Sequence, residues 1–189
     1  MSLTEPGRPA SAFTALGLKK TVDLLVEEVR DLYLADDIPW VVGYSGGKDS
    51  TATLQIIWLA LAGLPEERRK KTVHVISTDT LVENPVVAAW VTRSLETMRK
   101  GAAAQSIPVI PHRLTPEVTD TFWVNLIGRG YPAPRPKFRW CTDRLKIKPS
   151  NAFINRVVRE SGECILVLGT RKAESAARAR TMERHEKHR

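Results

Sequence analysis

Six consecutive residues in the first third of the chain, at positions 45–50, carry the groups that proteins use to bind phosphate. Two adjacent glycines let the backbone turn tightly with its N–H groups pointing inward. A lysine follows them and adds a full positive charge, and a serine at each end adds a hydroxyl group. The six candidate phosphate-binding residues are Ser45, Gly46, Gly47, Lys48, Asp49 and Ser50.

The residues on either side predict the structure that holds this loop. The apolar run at 40–44 indicates a buried parallel strand. After the loop, Leu54, Ile57 and Leu61 recur at the spacing of one helix face. A helix that starts at the loop directs unpaired N–H groups, and about half a positive charge, toward a bound anion. The stretch therefore predicts a phosphate-binding loop between a strand and a helix.

The loop differs from the common phosphate motif G-x-x-x-x-G-K-S/T. Val42 stands where that motif requires its first glycine, and Asp49 stands where it requires a magnesium-binding hydroxyl. The string S-G-G-K-D-S instead resembles, at all six positions, the PP-loop of the ATP pyrophosphatase family, also called the adenine nucleotide α-hydrolase-like family. The resemblance implies that the loop holds the β- and γ-phosphates of ATP. It also implies cleavage between the α- and β-phosphates, which releases pyrophosphate and leaves AMP on an acceptor.

Five longer segments carry a more specific resemblance, at 75–85, 122–132, 139–142, 146–149 and 169–175. Taken together they resemble the DndC family, the PAPS-reductase-like proteins of bacterial DNA phosphorothioation. The resemblance implies that ATP activates a DNA backbone phosphate by adenylation, and that sulfur from a cysteine desulfurase then displaces AMP. We therefore expect DNA as the substrate, with a cysteine desulfurase and other phosphorothioation proteins as partners.

Proteins of this family are associated with a 4Fe–4S cluster held by four cysteines, one of which matches Cys141. The chain has two cysteines, Cys141 and Cys164, and four thiolates cannot come from two. We therefore expect a truncated form without an intact cluster, in which Cys141 is a single candidate iron ligand. Cys164 is predicted to be a small core residue.

The ends of two further predicted strands supply the other candidate residues of the ATP site. Ligands of open parallel sheets bind beyond the carboxyl ends of the strands, which places five residues beside the loop: Thr78, Asp79, Gly169, Thr170 and Arg171. Asp79 is expected to contact adenosine or a metal ion, with a helix-capping role as the alternative.

Three residues are predicted to take part in catalysis, namely Lys48, Asp49 and Arg171. Lys48 and the loop N–H groups would stabilise pyrophosphate as the leaving group. Asp49 would either help to position Mg²⁺ or cap the helix that follows. Arg171 would clamp the α-phosphate or the acceptor.

A segment at 137–149 is rich in lysine and arginine and is interleaved with aromatic residues. Such a segment is able to bind phosphate, sulfate or a nucleic-acid backbone, with Phe138 and Trp140 available for stacking. The alternative is a basic loop that is merely solvated.

The remaining pattern predicts an α/β fold, an open parallel sheet of about five strands with helices on both faces. Further strands are expected at 72–77, 107–114 and 164–168. Further helices are expected at 14–35, 84–105, 115–127 and from 150 onward. In the first of these, the residues expected to face the core are Leu18, Val22, Leu25, Val29 and Leu32. We predict a disordered arm at 1–13, one domain at 14–175 and a charged tail at 176–189, whose His185 and His188 favour a solvated helix over a metal site.

Composition limits the class of protein. The 189 residues suit one domain, and the formal net charge of +8 favours polyanionic partners. The sequence has no apolar run long enough to cross a membrane and no secretory signal, so we expect a cytoplasmic protein without membrane contact. Two alternatives stay open: a PAPS reductase or sulfate-activating enzyme of the same fold, and a nucleotide-binding scaffold that recruits a desulfurase.

Overall fold

The structure is a computed structural model that describes residues 13–186. The predicted arm, apart from its last residue, and His188 lie outside the described residues. The four strands are β1 (Trp40–Gly43), β2 (Val73–Thr78), β3 (Val109–Leu114) and β4 (Ile165–Leu168) within this range. The α-helices of the same range are α1 (Gly17–Leu34), α2 (Lys48–Ala62), α3 (Pro85–Ala104), α4 (Trp140–Thr142), α5 (Lys148–Ser161) and α6 (Ala176–Glu186). The predicted division at 13/14 and 175/176 stays a prediction.

The strands form one parallel sheet in the order β3-β2-β1-β4. Trp40 of β1 pairs with Val73 of β2 on one side and with Ile165 of β4 on the other. The α/β class with a parallel sheet is confirmed, with four strands in the described part of the chain against about five expected. In this order β1 and β2 are central, and β3 and β4 are the edges.

Helices cover both faces of the sheet. Successive residues of a strand point to opposite faces, so neighbouring residues of β1 pack against different helices. Val42 and Val75 pack in a core cluster with residues of α2 and α3. Val41 belongs to a second cluster with Phe153 and Val157 of α5. Both faces of β1 are therefore buried, and the loop that follows β1 emerges between the two helical layers.

Helix α3 begins where the sequence suggests. The side chain of Asn84 accepts a hydrogen bond from the N–H of Val86 at 2.9 Å, and Pro85 occupies the first turn. Both features are typical of a helix N-terminus. Asp79 is therefore not needed as a cap for this helix.

The helix predicted at 115–127 does not form as one element. A 3₁₀ helix (Val118–Asp120) and a π turn (Val124–Gly128) take its place. Asn125 is fully buried, and its Nδ2 donates to the carbonyl of Thr121 at 2.8 Å. This buried contact stabilises a wider turn than an α-helix provides, whereas the sequence pattern alone favoured the helix.

Residues 140–161 form a nearly continuous helical segment, in which α4, a π turn (Asp143–Ile147) and α5 follow one another. Trp140 is buried, donates from Nε1 to the carbonyl of Pro132 at 3.0 Å and stacks on Phe122. The expectation that Trp140 is available for stacking is therefore wrong, because its ring is part of the core of this segment. Phe138 remains partly exposed.

The predicted inward face of α1 is confirmed in part. Val22 and Val29 are partly buried, and Val29 packs against the core cluster. Leu18, Leu25 and Leu32 are exposed, and Tyr33 is the buried residue of this helix. Tyr33 donates from its hydroxyl to the carbonyl of Lys71 at 2.7 Å. The helix thus packs through its C-terminal part, which periodicity cannot reveal.

Within residues 13–186, no helix combines the length and apolar character needed to cross a membrane.

Candidate nucleotide site

The loop at 45–50 leaves the sheet at the carboxyl end of β1, as the sequence predicts. The N–H of Tyr44 donates to the carbonyl of Ile76 at 2.8 Å, which keeps the chain in the sheet until the loop begins. Gly46 then has a φ of +74°, a backbone conformation that is strained for any residue with a side chain. A Cβ at this position would lie 3.0 Å from Val91 of α3. The turn therefore requires glycine for its backbone angle and for its close approach to α3.

Two serine hydroxyls hold the shape of the loop. The Oγ of Ser50 donates to the carbonyl of Gly47 at 3.0 Å and accepts from the N–H of Ser45 at 3.3 Å. The Oγ of Ser45 lies 3.2 Å from that of Ser50 and accepts from the N–H of Gly47 at 3.4 Å. Ser50 is buried. Because both hydroxyls form hydrogen bonds within the loop, they stabilise its conformation.

The N-terminus of α2 is open to an anion. Gly47 is the N-cap residue, and no side chain caps the helix. The N–H groups of its first residues, at 48–50, have no acceptor within the helix. Lys48 is exposed, and no carboxylate pairs with it in the described range. Several donors and one free positive charge therefore meet at this point, as an anion site requires.

The end of β4 packs directly against the start of α2. A Cβ added to Gly169 would lie 2.7 Å from the carbonyl oxygen of Asp49 and 2.7 Å from the Oγ1 of Thr53. Only a glycine permits this approach without moving the backbone. Gly169 and Thr170 thereby reach the cavity beside the loop.

Asp49 and Arg171 form an ion pair in which Arg171 Nε lies 2.9 Å from Asp49 Oδ2. The pair connects α2 to the segment after β4. The carboxylate of Asp49 does not cap the helix, so the capping alternative is not realised. The guanidinium of Arg171 lies outside the cavity lining and is held on Asp49.

Asp79 lies at the carboxyl end of β2 and is ion-paired with Arg113 near the end of β3. Its Oδ1 also accepts a hydrogen bond from the N–H of Leu81 at 2.8 Å. Burial works to raise the pKa of Asp79, but the hydrogen bonds from Arg113 and Leu81 outweigh it and hold this pKa below its usual range. Sequence reasoning missed Arg113. The pairing depends on the register of the parallel neighbours β2 and β3, which sets Ser77 opposite Arg113 and is not given by the sequence.

These elements surround a cavity of about 610 Å³ at the carboxyl ends of the strands. Of the predicted site residues, six line it: Ser45, Ser50, Thr78, Asp79, Gly169 and Thr170. The cavity has the size of a nucleotide site. Gly46, Gly47, Lys48, Asp49 and Arg171 do not line it, although they adjoin residues that do.

The opposite wall of the cavity comes from the basic segment and α5. Lys146 and Glu83 both line the cavity and form an ion pair at 3.4 Å. Thr78 Oγ1 lies 3.2 Å from the Oγ of Ser150. Part of the basic segment thus borders the nucleotide site. Ser150 was not singled out from the sequence, because no motif marks it.

The residues present do not fit an iron–sulfur cluster. Cys141 and Cys164 are the two cysteines of the chain, and both are free. Nowhere in residues 13–186 do three histidine, cysteine or acidic side chains group as metal ligands. Burial raises the pKa of the Cys164 thiol, as expected for a packed residue.

The comparisons with known proteins agree with this geometry at the level of the fold. No protein-family model matches the chain. The uncharacterized protein MJ0066 of Methanocaldococcus jannaschii is 27% identical over 151 residues, which cover 80% of this chain and 26% of that protein. The chain therefore spans about a quarter of the length of this curated relative.

A solved structure of similar fold is the U34-tRNA thiolase NcsA of Methanococcus maripaludis with its 4Fe–4S cluster. The TM-score is 0.51 at 16% identity, and the match covers 96% of this chain and 58% of the thiolase chain. At this identity the likeness shows the α/β fold alone. The assignment to the DndC family stays a prediction.

Proposed function

We propose that this chain binds ATP and cleaves it between the α- and β-phosphates, releasing pyrophosphate and transferring AMP to an acceptor. One observation carries the proposal. The S-G-G-K-D-S loop joins β1 to an uncapped helix N-terminus at the wall of a cavity of about 610 Å³. Backbone N–H donors and the free ammonium of Lys48 adjoin this cavity, and this positive charge suits a triphosphate better than a neutral ligand.

The roles of the residues follow from their positions. Lys48 and the first N–H groups of α2 would hold the outer phosphates and stabilise pyrophosphate as it leaves. Asp79, fixed by Arg113, would border adenosine. Mg²⁺ is usually held by substrate phosphates and one or two carboxylates, and Asp49 and Asp79 are the residues that would hold it here.

We further propose that the acceptor is a DNA backbone phosphate and that the reaction serves sulfur incorporation. A non-bridging oxygen of the phosphate would attack the α-phosphorus of ATP and expel pyrophosphate. A sulfur nucleophile supplied by a cysteine desulfurase would then displace AMP. The DndC-like strings and the net charge of +8 support this assignment. The likeness to a thiolase fold is compatible with it.

A second acceptor is favoured by a separate observation. A protein of similar fold is a U34-tRNA thiolase, so a tRNA base is the alternative substrate. Either acceptor uses the same adenylation chemistry. The two differ in which nucleic acid stimulates release of pyrophosphate.

The test follows ATP labelled at the α-phosphate, with Mg²⁺, in the absence and presence of DNA or tRNA. We expect AMP and pyrophosphate, with DNA increasing their release. Lys48→Ala should lower the rate by on the order of a hundredfold, since it removes a charge from the leaving group. Lys20→Ala, which removes a charge that is also exposed, on α1, should leave the rate unchanged. Formation of ADP and phosphate would exclude the proposed chemistry.

A further inference from the structure

A second cleft, of about 830 Å³, lies between the free edge of β3 and α5. We call it the cationic cleft and define it by Arg113, Asp120, Arg144, Lys148 and Arg156. Arg113 is the one described residue that lines both this cleft and the nucleotide cavity. The two spaces therefore adjoin at Arg113 while the rest of their walls differ.

Four cationic side chains and two carboxylates line this cleft, so it carries an excess of positive charge. Asp120 accepts from Arg144 Nη1 at 2.6 Å and from Lys148 Nζ at 2.9 Å. Arg144 also donates from Nη2 to the hydroxyl of Tyr131 at 2.8 Å. These bonds fix Arg144 and Lys148 against one wall, as in sites that orient their cations before an anion binds.

Arg156 is the cation of the cleft that is left without a counter-charge. Its guanidinium lies over the ring of Phe153 at 4.7 Å, and no carboxylate of the described residues pairs with it. The neighbouring imidazole of His112 does not supply a counter-charge either. Burial, with His74, Arg156 and Arg99 nearby, lowers the pKa of His112 to about 4, so the ring is neutral at pH 7. An exposed, oriented guanidinium of this kind is suited to a phosphate oxygen.

We propose that the cationic cleft binds the phosphodiester backbone of a nucleic-acid acceptor, with Arg156 as a phosphate contact. That this nucleic acid is the acceptor of AMP rests on the proposed function. A cleft of about 830 Å³ is much larger than one phosphate ion, and its cations are distributed along it from Arg113 to Arg156. A backbone bound there passes beside Arg113 and so reaches the edge of the nucleotide cavity.

The experiment compares two variants of the same helix. Arg156→Gln and Arg159→Gln each remove one positive charge from α5, and both side chains are exposed, but only Arg156 lines the cleft. Binding of a fluorescently labelled oligonucleotide to the whole chain is followed by anisotropy at several salt concentrations. We expect Arg156→Gln to weaken binding about five- to tenfold and to reduce the slope of log K against log salt by about one. Arg159→Gln should change binding less than twofold.

Further measurements distinguish a contact with the nucleic-acid backbone from misfolding and from a site for a small anion. Arg156→Lys, which keeps the charge, should retain most of the affinity, and circular dichroism should show that all three variants are folded. Equal weakening by Arg156→Gln and Arg159→Gln, or no oligonucleotide binding, would overturn the proposal. So would full displacement by millimolar inorganic phosphate, which would indicate a site for a small anion.

The inference and the proposed function fail in different ways. If wild-type protein does not form AMP, while Arg156→Gln still weakens oligonucleotide binding selectively, the adenylation is wrong and the cleft is supported. If AMP forms but Arg156→Gln binds the oligonucleotide as wild type does, the cleft is wrong and the adenylation stands.

Discussion

The nucleotide cavity and the cationic cleft adjoin at Arg113, yet they are built by opposite means. The nucleotide cavity depends on the path of the backbone: a glycine turn, an uncapped helix and the close approach of Gly169 to α2. The cationic cleft depends on long side chains from separate segments, oriented by Asp120. The first should therefore be sensitive to added atoms, and the second to changes of charge.

Among the changes that test this comparison, the largest effect is expected from adding one methyl group to the nucleotide cavity. In Gly169→Ala the new Cβ would lie 2.7 Å from the carbonyl oxygen of Asp49, so the end of β4 must move away from α2. We expect at least a tenfold loss in the rate of AMP formation, with about 1–3 kcal/mol of destabilisation from the overpacking. Gly128→Ala is the matched control, because its Cβ would meet Val124 at an ordinary 4.0 Å. Equal activity of the two variants would show that the close approach is unimportant.

The next effect tests the support of the cationic cleft. Asp120→Asn keeps the shape of the side chain but removes the charge that holds Arg144 and Lys148. We expect the free energy of unfolding to fall by about 1–2 kcal/mol at pH 7, measured by urea denaturation. Asp143→Asn, at an exposed residue of the same region, should cost much less.

The pH dependence of the same variant gives a second readout. Hydrogen bonds from Lys148 and Arg144 outweigh burial and hold the pKa of Asp120 below its usual range. A carboxyl whose pKa is lowered by folding contributes stability above its unfolded pKa, near 4, and this stability is lost as pH falls through the folded pKa. Wild type should therefore lose part of its advantage over Asp120→Asn below about pH 4. A constant difference would show that the charge is not the cause.

The same contrast explains how far the sequence could predict the molecule. Local backbone rules placed the loop at 45–50, the cap at Asn84 and the parallel strands, because each depends on neighbouring residues. Parallel pairing then brought Thr78, Asp79, Gly169 and Thr170 to one edge of the sheet, as expected.

Features set by distant partners could not be predicted in this way. The π turns and the burial of Trp140 depend on contacts between segments that no periodicity describes. The exposed leucines of α1 show the same limit, since a helical spacing indicates a face but not how much of it is covered. The pairing of Asp79 with Arg113 needed the register of β2 and β3.

A smaller effect is expected from changing Arg113, the residue that lines both the nucleotide cavity and the cationic cleft. Arg113→Lys keeps the charge of the cationic cleft but replaces the two-pronged contact of Arg113 with Asp79 by a single ammonium. We expect ATP to bind about threefold more weakly by calorimetry, whereas oligonucleotide affinity should stay within twofold. Arg93→Lys, at an exposed site of α3, serves as the control. An equal loss of both affinities would mean that the clefts are not independent.

An effect of comparable size concerns the imidazole pair beside the cationic cleft, where His74 Nδ1 and His112 Nε2 lie 3.0 Å apart. Burial, then the nearby charges, lowers the pKa of His112 to about 4, so the unfolded chain takes up a proton near pH 6.5 that the folded chain refuses. Stability from this residue is therefore complete above about pH 6.5 and is lost as pH falls toward 4. In His112→Gln the decrease in unfolding free energy from pH 7 to pH 5 should be smaller by about 1 kcal/mol, a figure reduced for solvent screening of the half-buried ring. Parallel pH profiles of the two proteins would show that His112 is protonated as readily in the folded chain as in the unfolded one, which would contradict the prediction.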